Sequence, residues 1–150
     1  MNFNSSIRKA AISNHIRNRR LRIKIADNNN PVFKAIVKNK IKGKTILEIG
    51  CSTGYLLEAL RSKLGAKCFG VDISSAAIKE GKKLFKKIKL YNSFFESSKL
   101  KNKKYDLIIF EYFLFLLPID KVLTLFSLID ISLKKNSHLI IYDFHNKKFK

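Results

Sequence analysis

Two acids and two glycines are spaced as a binding site would need them. Glu48 sits inside an apolar run and Gly50 follows it. Three small residues, Cys51, Ser52 and Thr53, come next, and Gly54 closes the stretch ILEIGCSTG at 46–54. Glycine at a strand-to-helix turn permits positive φ and lets a ligand approach the backbone closely. The helix start beyond it supplies unpaired N–H donors. Asp72 ends the apolar run FGVD, twenty-two residues past Gly50. A carboxylate at that spacing can accept both hydroxyls of a ribose, or it can cap the helix that follows. A phosphate-loop reading fits poorly, because Tyr55 stands where Lys-Ser/Thr is needed after the second glycine. A dinucleotide fingerprint also fits poorly, with Ser52 at its middle glycine and Tyr55 at its third.

The elements that must position these residues follow from hydropathy and breakers. Asn28-Asn29-Asn30-Pro31 is a turn, and Asn30 can cap a helix that has Pro31 at its first position and ends before Gly43. Ahead of it, residues 6–26 lack Pro and Gly and can form another helix. Strands are expected at 44–49, 67–71, 89–93, 105–110 and 137–142. Helices are expected at 54–64, 74–87 and 120–133, the second capped by Ser74 or Ser75. This alternation implies right-handed crossovers and an α/β fold with a mainly parallel sheet of about five strands. YDLIIF, apolar almost throughout, suits a strand covered on both faces.

The stretch 46–54 resembles motif I of class I S-adenosylmethionine-dependent methyltransferases, written E/D-x-G-x-G-x-G. Glu48, Gly50 and Gly54 match it, and Ser52 replaces the middle glycine. The resemblance covers roughly residues 45–143 and implies a three-layer Rossmann-like fold. It implies that the loop Gly50–Gly54, with Cys51, Ser52 and Thr53, wraps the methionine part of S-adenosylmethionine. Glu48 would orient that loop and the cofactor's amino group, Asp72 would hold the ribose, and Ile73 would pack on adenine. After the third strand the family offers an acid or small polar residue to adenine. Here Ser93 and the backbone of Phe94 are the candidates, although Phe94 and Phe95 also suit an ordinary core. YDLIIFEYFLFLLP resembles the motif IV region. Asp106, at the start of that strand, takes a structural role. Glu111 and Tyr112, at its carboxyl end, are the candidate catalytic or acceptor-contacting residues. The full fold has seven strands, so the last two look missing and the chain reads as a truncated product, or one that pairs through the bare fifth-strand edge.

Two units are therefore expected: a basic helical segment at 1–44 covering the pocket, and a cofactor-binding core at 45–150. S-adenosylmethionine would be the cofactor and S-adenosylhomocysteine its product. The lead reading is methyl transfer to a small-molecule acceptor. An RNA methyltransferase is the alternative, using Arg17, Arg19, Arg20, Arg22 and Lys24. A non-catalytic degenerate relative is a third reading. The net charge of +20, from 31 basic and 11 acidic residues, fits a codon bias toward lysine slightly better than a polyanion partner. Cys51 and Cys68 make no disulfide framework, and His15, His138 and His145 lack ligand spacing, so no metal is expected. The N-terminus lacks a signal-type apolar core, and the longest apolar run, 107–118, is interrupted by Glu111. The cytoplasm is the expected compartment.

Overall fold

A computed structural model describes residues 30–144. Helix α1 (Pro31–Lys38) leads into strand β1 (Thr45–Ile49), followed by α2 (Tyr55–Leu64), β2 (Lys67–Asp72), α3 (Ser75–Leu84) and β3 (Lys89–Asn92). A 3-10 turn (Lys99–Asn102) precedes β4 (Tyr105–Glu111), and another (Leu114–Leu116) precedes α4 (Ile119–Ser132) and β5 (Leu133–Tyr142). The five strands form one parallel sheet in the order β3-β2-β1-β4-β5. The expected helix at 6–26 and Arg17, Arg19, Arg20, Arg22 and Lys24 lie outside the described residues.

The strand order explains where the site must be. From β1 the chain moves outward through β2 to β3, then returns to the other side of β1 as β4. Right-handed crossovers therefore place α2 and α3 on one face and α4 on the other. The two cores agree. Leu57, Leu60 and Ile78 pack with Ile46, Cys68, Leu107 and Ile109. Leu125 and Ile129 pack with Leu47, Ile49, Ile108 and Phe110. Successive residues of β1 and β4 thus serve opposite cores, which is why both strands are apolar almost throughout. The order reverses between β1 and β4, and ligands of such sheets bind beyond the carboxyl ends at that point.

Local chemistry sets the element ends. The Asn30 side chain accepts from Phe33 N at 3.0 Å and caps α1. Ser74, not Ser75, caps α3 through Ala77 N. That helix stops at Leu84 rather than 87, because Phe85 turns extended and sets its ring 5.0 Å from Tyr55, edge to face. The fully buried Tyr105 hydroxyl donates to Leu100 O at 2.9 Å, which fixes the unexpected turn at Lys99–Asn102 against β4. Strand β5 starts at Leu133, four residues earlier than its sequence suggests. Three residues of β4, Tyr105 to Leu107, face six of β5, Leu133 to His138. The surplus is taken up by a bulge with Asn136 at φ 60°. Lys134 is held there by Asp106 at 2.9 Å and Thr45 at 3.1 Å. Among the described residues no helix is long and apolar enough to cross a membrane.

Candidate functional site

The turn after β1 is built from short-range hydrogen bonds that the small side chains leave room for. Gly50 N and Cys51 N both donate to Val71 O, at 2.9 and 3.2 Å, and Gly54 N closes on Cys51 O at 2.8 Å. Three residues adopt left-handed backbone: Gly50 at φ 80°, Ser52 at 50° and Gly54 at 82°. For Ser52 this costs about 1 kcal/mol, a strain that glycine would avoid. A Cβ on Gly50 would lie 2.5 Å from the Phe113 ring, so only glycine admits that ring over the turn. Gly81 plays a matching part from outside: a Cβ there would run into Thr53 O, so α3 packs directly on the turn.

The acids meet at this edge. Asp72 accepts from Ser52 N at 2.8 Å through one oxygen and from Ser74 N at 2.7 Å through the other. It therefore ties the turn to the start of α3. Ser74 remains the cap of α3, and the Asp72 carboxylate sits directly beside the Gly50–Gly54 turn. Glu48, on β1, is 4% exposed, and its Oε2 has no hydrogen-bond partner among the described residues. Burial drives its carboxyl well above the ordinary carboxylate range, and the charges of Glu111 and Asp72 drive it further. Ser52 Oγ is likewise buried without a partner among the described residues. Burial, then Asp72 and Glu48, also push the Cys51 thiol well up, so it is a packing group in a negative field and not a thiolate.

The other sequence-selected residues fall around this edge. Thr53 is buried within the turn and Ile73 is half-buried beyond Asp72. Ser93 N donates to Asp72 O at 3.1 Å, and Ser93 Oγ donates to Phe94 O at 2.7 Å. Phe94 is half-buried, whereas Phe95 belongs to the core at 2% exposure. Glu111 ends β4 and accepts from the Asn30 side chain at 2.8 Å. Burial raises its carboxyl and that hydrogen bond partly offsets the rise. Tyr112 has φ 50°, and its ring lies 5.1 Å from Tyr142 and 4.8 Å from Phe144.

Three participants escaped the sequence reading. Phe113 covers Gly50 and stacks 5.8 Å from Phe110. Asn30 reaches Glu111 across 81 residues. Asp143 accepts from Leu114 N at 2.6 Å and Phe115 N at 3.2 Å, fixing the loop beyond Glu111. All three act over long sequence separations, and their identities alone carry no such signal.

The edge thus brings a turn of small residues beside a buried acid, Glu48, and two further acids, Asp72 and Glu111, an arrangement suited to a ligand that carries hydroxyls and a positive charge. Comparisons point the same way. A family model described as a methyltransferase domain matches residues 46–136. A Methanocaldococcus jannaschii protein named for protein N5-glutamine methyltransferase activity is 40% identical over 72 residues, 47% of this chain and 36% of that protein. The plantazolicin methyltransferase BpumL, crystallised with a monoazolic desmethylPZN analog and SAH, is 26% identical with a TM-score of 0.62, over 71% of this chain and 42% of that one. A TehB-like SAM-dependent methyltransferase from Corynebacterium glutamicum shares the fold, with a TM-score of 0.71 at 21% identity over 89% of this chain and 72% of that one. The chain therefore spans little more than a third of the length of the first of these relatives and less than half of the second.

Proposed function

The chain belongs to the methyltransferase-domain family, and from that premise we propose that it binds S-adenosylmethionine at the β1–β4 edge and transfers its methyl group to a small acceptor with a flat apolar body. The observation that carries this reading is the buried Glu48 oxygen left without a partner beside the Gly50–Gly54 turn. A buried acid with an unpaired oxygen is costly to keep, by about 1–3 kcal/mol, and burial raises its carboxyl. A cationic ligand group placed there would offset that cost and favour the ionised form, and the cofactor's ammonium is such a group.

The residues present suit the cofactor. Glu48 would take the ammonium, the turn's backbone the methionine portion, and Asp72 the ribose hydroxyls, exchanging its bond to Ser52 N. Ile73, Ser93 and Phe94 would border adenine. When bound, the cofactor supplies a methyl already activated by its sulfonium, so the protein need only align the acceptor and exclude water. Phe113 keeps water from the turn, and Glu111 is placed to hold or accept an acceptor's proton. The rings of Tyr112, Phe115, Tyr142 and Phe144 form one aromatic rim beside Glu111. That rim supports a flat acceptor, as does the monoazolic desmethylPZN analog bound to the plantazolicin enzyme.

Calorimetric titration with S-adenosylhomocysteine tests the reading. Saturable binding is expected, weakened about 100-fold or more by Asp72→Ala, which removes charge-assisted bonds to the ligand. No heat with the wild-type chain would overturn it.

A further inference from the structure

Strand β3 leads away from the site to a face of different chemistry. Lys89 and Tyr91 stand two residues apart on β3 and share one face with Phe69 and Val71, their register partners on β2. On that face the rings meet lysines: the Lys89 ammonium lies 6.0 Å and that of Lys103 5.5 Å from the Phe69 ring centre, while Lys99 lies 5.4 Å from that of Tyr91. All three lysines are exposed, Tyr91 is half-buried with one side packed on the core, and Phe69 is buried beneath them. Among the described residues the ion pairs are Arg61–Glu58 and Lys134–Asp106, and they use none of these lysines.

We propose that this face, formed by Lys89, Lys99 and Lys103 around Phe69 and Tyr91, binds single-stranded nucleic acid. Rings that hold ammonium groups in place order the cations without neutralising them, as a cation–π interaction leaves the full charge available. Lysines beside a half-buried ring are the two components of single-strand binding: phosphates meet the cations, and a base stacks on the outer side of Tyr91 as Lys99 swings to a phosphate. An anionic membrane fits less well, because insertion needs exposed apolar side chains. Those of the described residues lie elsewhere, at Leu84, on α4 and around the end of β5. The face also adjoins the candidate site. Strand β3 spans about 10 Å, and at its far end the Asn92 side chain donates to Asp72 O at 3.0 Å. A bound strand running along β3 would reach the rim of that site, although the proposal stands without any activity there.

The test is fluorescence anisotropy of a short labelled single-stranded RNA with the full chain, titrated at several salt concentrations. The triple variant K89Q/K99Q/K103Q is expected to bind about tenfold more weakly. The slope of log affinity against log salt is expected to fall by about two, at roughly 0.7 for each phosphate no longer neutralised. Tyr91→Leu should weaken binding with the slope unchanged, as expected when a base can no longer stack on the ring. The control variant K79Q/K82Q/K83Q removes the same charge from the exposed side of α3 and should bind nearly as the parent does. Equal weakening in both triple variants would mean that only net charge is sensed, and would overturn the proposal. So would binding to phosphatidylserine vesicles without binding to RNA. Melting curves of each variant show that the fold is kept.

Discussion

The two ends of the sheet treat a buried or half-buried acid in opposite ways. At the amino edge, one oxygen of Asp106 accepts from Lys44 N, Thr45 N and Thr45 Oγ1, and the other meets Lys134 Nζ. Burial alone would raise its carboxyl, but the bonds from Lys134 and Thr45 outweigh that and hold it down at about 2. At the carboxyl edge of the adjacent strand, Glu48 has an oxygen with no partner among the described residues, and burial pushes its carboxyl up. The same kind of side chain is fully satisfied where it staples the fold and starved where a ligand would meet it. A satisfied carboxylate stabilises; an unsatisfied one stores the free energy that a cation releases on binding.

Removing each acid should therefore move stability in opposite directions. Asp106→Ala is expected to show the larger effect, because three donors and the Lys134 ammonium lose their acceptor together. The expected loss is about 2–3 kcal/mol, or roughly 5–10 °C in melting temperature for a domain of this size. The pH dependence has a definite sign. The Asp106 pKa is lower in the folded chain than its ordinary 3.8, so its contribution is complete above that value. It is lost as pH falls toward about 2, where the folded chain also takes up the proton. Melting curves of wild type and variant should converge over that interval. Equal spacing at every pH would break the comparison.

Glu48→Gln should do the reverse. Its raised carboxyl means that the folded chain keeps a proton that the unfolded chain has already released. Wild-type stability therefore falls as pH climbs from the ordinary carboxylate range through the raised value. Glutamine removes that dependence. Near pH 8 the variant should be about 1 kcal/mol more stable than wild type, and near pH 4 the two should be indistinguishable. Its affinity for S-adenosylhomocysteine should fall about tenfold at the same time, a hydrogen bond to a charged group being worth that much. A variant less stable at pH 8 would show that Glu48 is a structural acid like Asp106.

The sequence foretold the carboxyl edge better than the amino edge, for a physical reason. The turn at 46–54 is local: two glycines, three small residues and an acid within one strand-turn-helix unit determine its shape. Asp72 follows from the length of one crossover. The strand starts and helix stops around it fall within a few residues of their hydropathy boundaries. What sequence left hidden is pairwise and distant. Lys134 belongs to β5 because Asp106 and Thr45 hold it, and the hydropathy of residues 133–136 contains no trace of that. Phe113 reads as one more apolar residue until Gly50 lies beneath it. Asp106, assigned a structural role in advance, has that role, but its partners at positions 44, 45 and 134 were beyond reach of any local pattern.

Asn30 offers the smallest and most selective test, since one side chain serves both purposes. Its oxygen caps α1 by accepting from Phe33 N, while its amide nitrogen donates to Glu111 at the candidate site. Serine retains the first function and loses the second. Asn30→Ser should change stability by no more than about 0.5 kcal/mol, serine and asparagine being comparable caps. Asn30→Ala should cost about 1 kcal/mol. The two variants should agree in the other readout. A donor to the charged form of Glu111 holds its carboxyl down, so either substitution should let it rise. A carbon-13 NMR titration of the Glu111 carboxyl would show both variants displaced upward from wild type by the same amount. If serine left that titration unchanged while alanine moved it, the capping of α1 rather than the amide hydrogen bond would be what tunes Glu111, and Asn30 would belong wholly with the residues that build the fold.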